Sequence, residues 1–352
     1  MRRTDTLIIG GGPAGAAAAI LLARGRQPPL LIERRTQLTG VVCGGFLGWD
    51  ALASLAELGV DAGALGAVPI GRLRLVAGAC GMETNLPGRA AGLSRRRLDE
   101  AMLDLAVREG VDVLLGRTVR RLDGKTAELD DGTCIEADRL IIATGKHALR
   151  GAPRNAPAGV VGLRASVPAP PALAGHIELH LFRDGYAGLL TQEDGTANLC
   201  LSVSPARLRE AGGRPEGLLA ALVDEAPAIA GLGAAAQVWD TIAGVPYGWH
   251  TRTTEPDIYR IGDQAAVIAS LAGDGIAIAL ASGKAAARAI LAGADARSWQ
   301  REFGRRAARP LKRAEAARSV AESTTAAGLA VRLLGQAPWI ARMAAKSTRI
   351  GT

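Results

Sequence analysis

The chain has 352 residues, of which 48% are hydrophobic, so it is long enough for two domains and can bury a substantial core. Its net charge is +8, but the basic residues are scattered along the sequence, and aromatic residues make up only 3% of it. A nucleic-acid-binding surface usually combines clustered basic residues with aromatic ones that stack on bases. The composition therefore argues against a nucleic-acid partner.

The cysteines predict neither a disulfide framework nor a metal site. Cys43, Cys80, Cys134 and Cys200 form no C-x-x-C pair and have no histidine at a metal-ligand spacing. The N-terminus lacks the features of a signal peptide, and no apolar run approaches the roughly 20 residues that a membrane span requires. We therefore expect a soluble, cytoplasmic protein.

The first predicted unit is a strand, a glycine turn, a helix and a second strand. The apolar run Thr6 to Ile9 leads into Gly10-Gly11-Gly12-Pro13-Ala14-Gly15, an alanine-rich segment follows, and Leu30 to Ile32 ends at Glu33. Gly10 allows the tight turn, Gly12 lets a pyrophosphate approach the backbone, and Gly15 lets the helix pack closely on the sheet. Glu33 can accept hydrogen bonds from an adenosine ribose. This fingerprint predicts a dinucleotide site but leaves FAD and NAD(P) as alternatives.

The next segments suggest further ligand contacts. Cys43-Gly44-Gly45 predicts either a glycine turn beside a buried cysteine or a backbone segment lying flat against a planar ligand. A helix is expected from Asp50 to Leu58, and antiparallel strands between Leu65 and Gly92. Ser94 caps another predicted helix, which places Arg95 either on a solvated face or beside a phosphate site.

A second region follows a strand that returns to the first sheet. The buried strand from Ala137 ends at Ala143-Thr144-Gly145, which makes the first domain discontinuous. Residues 160 to 245 predict another sheet, with Gly185-Tyr186-Ala187-Gly188 as a turn. The polar candidates for a pocket wall formed by this sheet are His180, Tyr186 and Asn198.

A second glycine motif near the C-terminus favours FAD. A strand runs into Gly262-Asp263, and Gly273-Asp274-Gly275-Ile276 opens a long helix. The Asp263 carboxylate suits a ribityl hydroxyl, and the positive end of the helix dipole suits the flavin N1 and C2 carbonyl, where reduced flavin carries negative charge. Tyr247 and His250 precede this strand and are candidates to line the substrate side, with a turn packed on the sheet as the alternative.

The sequence resembles FAD-dependent oxidoreductases of the p-hydroxybenzoate hydroxylase fold, including the geranylgeranyl reductase branch. The resemblance covers about residues 5 to 290 and rests on the motifs above. It implies an α/β fold with a Rossmann-like FAD-binding domain, a discontinuous antiparallel-sheet substrate domain and C-terminal helices. The implied limits are 1–63, 93–155 and 250–295 for the FAD-binding domain, 64–92 and 156–249 for the substrate domain, and 296–352 for the helices.

The resemblance also implies which residues contact FAD. The pyrophosphate is expected at Gly12 to Gly15, ribose and its surroundings at Glu33 and Arg34, adenine near Val119, and the ribityl chain at Asp263. The isoalloxazine ring is expected beside Cys43 to Gly45 and Gly273 to Ile276. Further expected contacts are Gly10, Arg95, Thr144, Gly145 and Gly262.

Two departures from the family pattern concern the flavin. Gly145-Lys146-His147 stands where hydroxylases usually carry an Asp-Gly pair linked to FAD and NAD(P)H binding. Ser270-Leu271 stands where a proline often precedes the glycine motif. NAD(P)H is the expected electron donor, although the first departure leaves the route of flavin reduction open.

Three functions follow from the resemblance. The first is a monooxygenase that hydroxylates a hydrophobic aromatic or polyketide-like molecule through a flavin C4a-hydroperoxide. The second is a reductase of C=C bonds in an isoprenoid or lipid, favoured by Cys43 as a candidate proton donor. The third is a non-enzymatic electron-transfer protein. Cys43, Tyr247 and His250 are the catalytic candidates. The segment Leu329 to Met343 predicts either a peripheral membrane contact or a helix packed on its own domain.

Overall fold

The computed structural model describes residues 2–350, so residues 1, 351 and 352 of the expected domains lie outside the described part of the chain. Its strands are β1 (Arg2–Ile9), β2 (Leu30–Glu33), β3 (Phe46–Leu47), β4 (Val68–Ala77), β5 (Cys80–Gly92), β6 (Asp112–Leu115), β7 (Val119–Asp123), β8 (Thr126–Leu129), β9 (Cys134–Ile142), β10 (Val160–Pro168), β11 (His176–Phe182), β12 (Gly185–Thr191), β13 (Thr196–Val203), β14 (Asp240–Val245) and β15 (Ile258–Arg260). Its helices are α1 (Pro13–Arg24), α2 (Trp49–Leu58), α3 (Arg95–Arg108), α4 (Pro205–Glu210), α5 (Pro215–Ala221), α6 (Pro227–Gly233), α7 (Gly275–Leu291), α8 (Ala296–Ala321), α9 (Thr324–Gln336) and α10 (Pro338–Ser347).

The first sheet brings both glycine motifs to one edge. Its strand order is β6-β2-β1-β9-β8-β7, and β15 also pairs with β9. Strands β6, β2, β1, β9 and β15 are parallel, so their carboxyl ends lie together. Both faces of the parallel strands are covered: Ile8 of β1 packs in the core that contains α1, α3 and α7, whereas Leu7 and Ile9 pack with residues of β7, β8 and β9. The predicted strand–turn–helix–strand unit is confirmed.

Close packing of α1 and α7 depends on small residues. A Cβ atom on Gly15 would lie 1.9 Å from the carbonyl oxygen of Gly10, and one on Gly283 would lie 2.2 Å from that of Ala14. No side chain fits at these distances, because van der Waals contact begins near 3.4 Å. The packing role predicted for Gly15 is therefore confirmed, and α1 is held with its N-terminus at the sheet edge.

The second sheet forms the wall opposite the glycine motifs. Its order is β14-β10-β13-β12-β11-β4-β5-β3, and neighbouring strands are antiparallel except for the parallel pair β11 and β4. The two-residue strand β3 belongs to this sheet, although it lies within the segment 1–63 expected to belong to the FAD-binding domain. The backbone therefore crosses from one sheet to the other immediately after Cys43-Gly44-Gly45.

The predicted turn at Gly185-Tyr186-Ala187-Gly188 is wrong. These residues begin strand β12, and the reversal occurs one position earlier, at Asp184, which has a φ of +59°. Gly185 is required for packing, because a Cβ atom there would lie 2.4 Å from Cε2 of Phe182. The strand turns the Tyr186 side chain into the interior.

Two C-terminal helices, α9 and α10, cover one face of the second sheet, and α8 packs against β15 of the first sheet. Helices α9 and α10 pack against β5, and α9 also contacts β4 and β11. The expected C-terminal helices are therefore confirmed, and the last two pack on their own protein. Across residues 2–350, every helix falls short of the length and apolar character needed to cross a membrane.

Candidate functional site

The first glycine motif forms a tight turn without side chains at the carboxyl end of β1. Gly10 has a φ of +108°, and a Cβ atom there would lie 2.4 Å from the carbonyl oxygen of Ala143. Gly12 is the extended residue before α1, and Pro13 occupies the first helical position. The first-turn N–H groups of a helix lack intrahelical acceptors, so this end of α1 favours an anion.

Glu33 supports this turn from the neighbouring strand. Its Oε2 accepts a hydrogen bond from the Gly11 N–H at 2.8 Å, and its Oε1 accepts from the backbone N–H and Nε of Arg35. Burial would raise the pKa of Glu33, but the bonds from Arg35 and Gly11 together hold that pKa below its usual value. The carboxylate is therefore ionised and fixed beside the turn.

Arg95 reaches the turn from the start of α3. Its Nε and Nη2 each lie 2.9 Å from a carboxylate oxygen of Asp99, which is fully buried. Burial would lower the pKa of Arg95, but Asp99 and Cys43 hold it above its usual value. A Cβ atom on Gly12 would lie 3.3 Å from Nη2 of Arg95, so the guanidinium lies directly over the position expected for phosphate.

The segment Cys43-Gly44-Gly45 is held by one amide of the second sheet. The Nδ2 of Asn198 donates to the carbonyl oxygens of Cys43 and Gly44, at 3.0 and 2.8 Å. The Oδ1 of Asn198 accepts from Nε of Arg164 at 2.8 Å, which fixes the orientation of the amide. The segment is therefore a supported backbone surface, consistent with the prediction that it lies against a planar ligand.

The second glycine motif lies opposite this segment. Gly262 has a φ of +59° and donates its N–H to Oγ of Ser282, and Asp263 follows in a short 3₁₀ turn. Gly273 has a φ of +73°, and a Cβ atom there would lie 2.8 Å from the ring of Phe46. Helix α7 begins at Gly275, so its N-terminus points into the space between the two motifs.

Asp274 precedes α7 but its carboxylate turns towards the C-terminal end of the chain. Its Oδ2 accepts a hydrogen bond from Oγ1 of Thr348 at 2.7 Å, and its Oδ1 pairs with Arg349. Burial raises the pKa of Asp274 to about 7, against the opposing effects of Arg349 and Thr348. Because the side chain does not cap α7, the first-turn N–H groups of that helix remain directed at the candidate site.

The turn after β9 adds a cation that the sequence patterns did not assign to the site. Lys146 donates from Nζ to the carbonyl oxygen of Val42 at 3.0 Å. Burial lowers the pKa of Lys146, but the Asp263 carboxylate and three other nearby groups together outweigh burial, so the pKa lies above its usual value. Nε2 of Gln264 donates to the carbonyl oxygens of Gly145 and His147, which holds this turn against the second motif.

These elements enclose two connected cavities. One, of about 460 Å³, extends past Glu33, Arg34 and Val119; the other, of about 200 Å³, lies between Cys43-Gly44-Gly45 and the start of α7. Among the residues that line both are Gly12, Arg95, Lys146 and Asp263. Each expected FAD-contacting residue lines one or both cavities except Gly15, which is buried in the packing of α1, and Asp274, whose side chain turns away.

The groove formed by these cavities has open space and positive charge along its lining. A Cβ atom on Gly44, Gly145 or Gly275 would meet no atom within 4 Å, so these lining glycines leave room along the groove. Two cations and a helix N-terminus lie where the cavities join, and a second helix N-terminus lies at the inner end. The residues therefore fit a phosphate group at the junction and an electron-accepting ring at the inner cavity.

A hydrogen-bonded cluster lines the inner cavity. Oγ of Ser270 lies 2.7 Å from the Tyr186 hydroxyl oxygen and 2.8 Å from that of Tyr247. Burial raises the pKa of the Tyr186 phenol, so this group stays protonated. Cys200 also lines the cavity, and burial raises the pKa of its thiol to about 12. Among the sequence candidates, Cys43, Tyr186 and Tyr247 line this cavity together.

An apolar chamber adjoins the inner cavity. It has a volume of about 300 Å³, and Phe46, Ile177, Leu179, Leu271 and Gly273 line both spaces. Strands β4 and β11 form one side of the chamber, and helices α8, α9 and α10 form the other. An apolar molecule can therefore lie behind the inner cavity without contacting the charged groove.

Two histidines do not lie where sequence reasoning expected them. His250 lines a separate polar depression with Trp249 and Arg252, because Gly248, with a φ of +77°, turns the chain away after Tyr247. His180 is absent from the lining of both cavities, and its Nε2 lies 3.0 Å from Oε2 of Glu178. His250 was expected at the site because it is close to Tyr247 in the sequence, and His180 because it lies on β11 between residues that line the pocket. In both cases sequence proximity was misleading.

Comparisons with known proteins agree with this architecture. Residues 4–148 match the family described as pyridine nucleotide-disulphide oxidoreductase. A search of curated proteins found no match. Among solved structures, a variant of HpxO from Klebsiella pneumoniae, complexed with FAD, is 20% identical over 99% of this chain and 100% of that one, with a TM-score of 0.76.

Two further solved structures are similar over nearly the whole chain. A geranylgeranyl bacteriochlorophyll reductase-like protein from Thermoplasma acidophilum is 18% identical, covering 95% of this chain and 92% of that one, with a TM-score of 0.75. PqsL of P. aeruginosa, in complex with 2-aminobenzoylacetate, is 18% identical, covering 93% and 99%, with a TM-score of 0.73. The chain therefore shares the α/β fold of these solved structures.

Proposed function

We propose that this chain is an FAD-dependent enzyme that uses NAD(P)H and molecular oxygen to hydroxylate a hydrophobic small molecule. The observation that carries the proposal is the two-part groove that ends beside an apolar chamber. Glu33 and Arg34 would hold the adenosine half, Gly12, Arg95 and Lys146 the pyrophosphate, and Asp263 the ribityl chain. When bound, FAD supplies two-electron chemistry with a hydride donor and oxygen activation in its reduced form.

The protein residues have distinct roles in this proposal. The N-terminus of α7 would stabilise negative charge at the inner end of the groove, because its free N–H groups point there. The apolar walls around Phe46 and Leu271 would exclude water from the reacting atoms. The Tyr186–Ser270–Tyr247 cluster would hold or pass a proton at its hydroxyl oxygens. In the overall reaction NAD(P)H supplies two electrons, one oxygen atom enters the substrate and the other leaves as water.

The substrate class follows from the chamber and from a similar protein. PqsL binds 2-aminobenzoylacetate, a small aromatic molecule, within the same fold. The chamber in this chain is lined mainly by aliphatic side chains. We propose an aromatic or polyketide-like substrate with an apolar portion long enough to enter the chamber.

A second candidate function is reduction of a C=C bond in an isoprenoid or lipid. Cys43 favours it, because this thiol lines the inner cavity beside Arg95 and is placed to donate a proton. The similarity to a geranylgeranyl bacteriochlorophyll reductase-like protein also supports it. An electron-transfer role without a substrate is a third alternative, which the apolar chamber disfavours.

One experiment distinguishes these functions. The purified protein is loaded with FAD, supplied with NADPH or NADH and a panel of aromatic and prenylated compounds, and incubated under ¹⁸O₂ or without oxygen. Products carrying one ¹⁸O atom support hydroxylation, whereas products two hydrogens heavier that form without oxygen support the reductase. A folded protein that binds no FAD would overturn the flavoenzyme proposal, and FAD reduction without any product would favour electron transfer.

A further inference from the structure

Exposed apolar side chains are concentrated at the C-terminal helices. Ten large hydrophobic residues of the described chain are exposed, and five of them lie on α9 and α10: Leu329, Leu333, Trp339, Ile340 and Met343. We call these five residues the C-terminal patch. Clusters of exposed apolar residues usually mark an interaction surface, whereas isolated ones need no explanation.

The patch lies on the outer faces of the two helices. Helix α9 buries Ala327 and Val331 against the second sheet, and Leu329 and Leu333, four residues apart, are exposed. Helix α10 buries Ala341 and exposes Trp339, Ile340 and Met343. Residues three or four apart lie on one face of a helix, so each helix has an apolar outer face in addition to its packed inner face.

The charged residues that α9 and α10 carry have one sign. After Glu322 the sequence contains no aspartate or glutamate, but it contains Arg332, Arg342, Lys346 and Arg349. Arg349 pairs with buried Asp274, whereas Arg332, Arg342 and Lys346 are exposed on α9 and α10. Exposed Trp, Leu and Ile side chains flanked by Lys and Arg match the apolar and anionic layers of a lipid surface.

The apolar chamber opens beside this surface. Val320 and Ala344 line the chamber and are also exposed, so its mouth lies next to α10. The chamber then continues past Leu271 and Phe46 to the inner cavity. A path for an apolar molecule therefore runs from the edge of the patch to the reaction site.

We propose that the C-terminal patch docks on an anionic lipid bilayer and that the apolar substrate enters the chamber from that bilayer. The second half of this proposal rests on the chamber being the substrate site of the proposed enzyme. The first half depends only on the surface, so it can be tested without turnover.

The test is sedimentation of the full-length, FAD-loaded protein with vesicles. We expect binding to vesicles of equimolar phosphatidylcholine and phosphatidylglycerol, and weaker binding to pure phosphatidylcholine or at high salt. The combined change Leu329→Ser, Leu333→Ser and Met343→Ser should weaken binding by about tenfold or more. Arg342→Gln with Lys346→Gln should weaken binding to the anionic vesicles by roughly thirtyfold.

Matched controls separate docking from general hydrophobicity. Val107→Ser, Leu115→Ser and Val223→Ser remove exposed apolar side chains elsewhere and should leave vesicle binding unchanged. FAD content and melting temperature verify that each variant is folded. Equal binding by the patch and control variants would overturn the docking proposal, as would a wild-type protein that stays in the supernatant or forms a dimer through the patch. The hydroxylation experiment with detergent-dispersed substrate would still test the enzyme independently.

Discussion

The side-chain amide of Asn198 lies 2.8 Å from the carbonyl oxygen of Gly44, and this contact joins the second sheet to the backbone that lines the inner cavity. The same amide accepts a hydrogen bond from Arg164. Arg164 therefore fixes which side of the amide donates, and the segment Cys43-Gly44-Gly45 is positioned by a residue that is distant in the sequence.

Replacing Asn198 should weaken FAD binding. Asn198→Leu leaves two backbone carbonyls and the Arg164 guanidinium without this partner, at a cost of about 1–3 kcal/mol, which would raise the Kd for FAD by roughly 5- to 150-fold. Asn198→Asp keeps the acceptor for Arg164 but places a carboxylate against the carbonyls, so it should be at least as damaging. Fluorescence titration with FAD measures the effect. Ser166→Ala, an exposed change on β10, is the control, and equal affinities in all variants would contradict the positioning role.

Removing the charge of Lys146 should weaken FAD binding in a salt-dependent manner. Lys146 lines the junction where the pyrophosphate is expected, and its raised pKa keeps it cationic at neutral pH. Hydrogen bonds to charged groups contribute about 1.5–3 kcal/mol, so Lys146→Met should raise the Kd for FAD by roughly ten- to a hundredfold. Lys146→Arg should retain most of the affinity. If the methionine variant binds as the wild type does at low salt, Lys146 does not contact the phosphate.

Asp274 should make the holoprotein less stable as the pH rises towards neutrality. Its pKa is about 7 in the folded protein and 3.8 ordinarily, so between these values the folded state holds a proton that the unfolded chain has released. The free energy of unfolding therefore falls with rising pH across this window, by up to about 1.4 kcal/mol per pH unit, and the loss is complete above pH 7.

The Asp274→Asn variant isolates this effect, because asparagine does not titrate. Urea denaturation between about pH 4 and pH 7 should show a smaller fall in unfolding free energy for the variant than for the wild type. Asp104→Asn removes an exposed carboxylate on α3 and should follow the wild-type curve. Parallel curves for Asp274→Asn and wild type would show that the carboxylate is ionised throughout this pH range.

His250 and Tyr247 should behave differently, although they are close neighbours in the sequence. His250 lines a separate depression, so His250→Ala should leave both FAD content and turnover within about twofold of wild type, since it removes no hydrogen bond at the site. Tyr247→Phe removes the hydroxyl that lies 2.8 Å from Ser270 and should lower turnover by about tenfold while retaining FAD. Steady-state kinetics with the substrate found by the oxygen-labelling experiment measures both. A large loss of turnover in His250→Ala, with Tyr247→Phe unaffected, would instead support the sequence-based expectation that His250 is catalytic.

The first glycine motif was predictable because its structure depends on residues that are close together in the sequence. Gly10, Gly12 and Gly15 act within one turn, and Glu33 follows at the end of the next strand, so consecutive residues carry the whole signal. The second motif was predictable for the same reason. The two motifs come together because β1 and β15 both pair with β9. Local sequence signals do not predict this pairing, and we expected it only from the resemblance to a known fold.

The remaining parts of the site depend on contacts between distant segments. Asn198 was a candidate for the pocket wall, but its bonds to Cys43 and Gly44 could not be inferred from spacing. Thr348 and Arg349 carried no signal at all, since they lie far beyond Asp274 in the sequence. His250 was misplaced because a positive φ at Gly248 reverses the direction of the chain, and the sequence does not show that conformation.

The bond between Thr348 and Asp274 has a practical consequence for handling the protein. It secures the last turn of the described chain to the start of α7, which lines the inner cavity, so a purification tag or fusion partner placed next to this turn would disturb the contact. An added domain there would strain the hydrogen bond between Thr348 and the buried Asp274 carboxylate. The opposite terminus is better suited, because β1 begins with exposed arginines at the far end of the strand from Gly10.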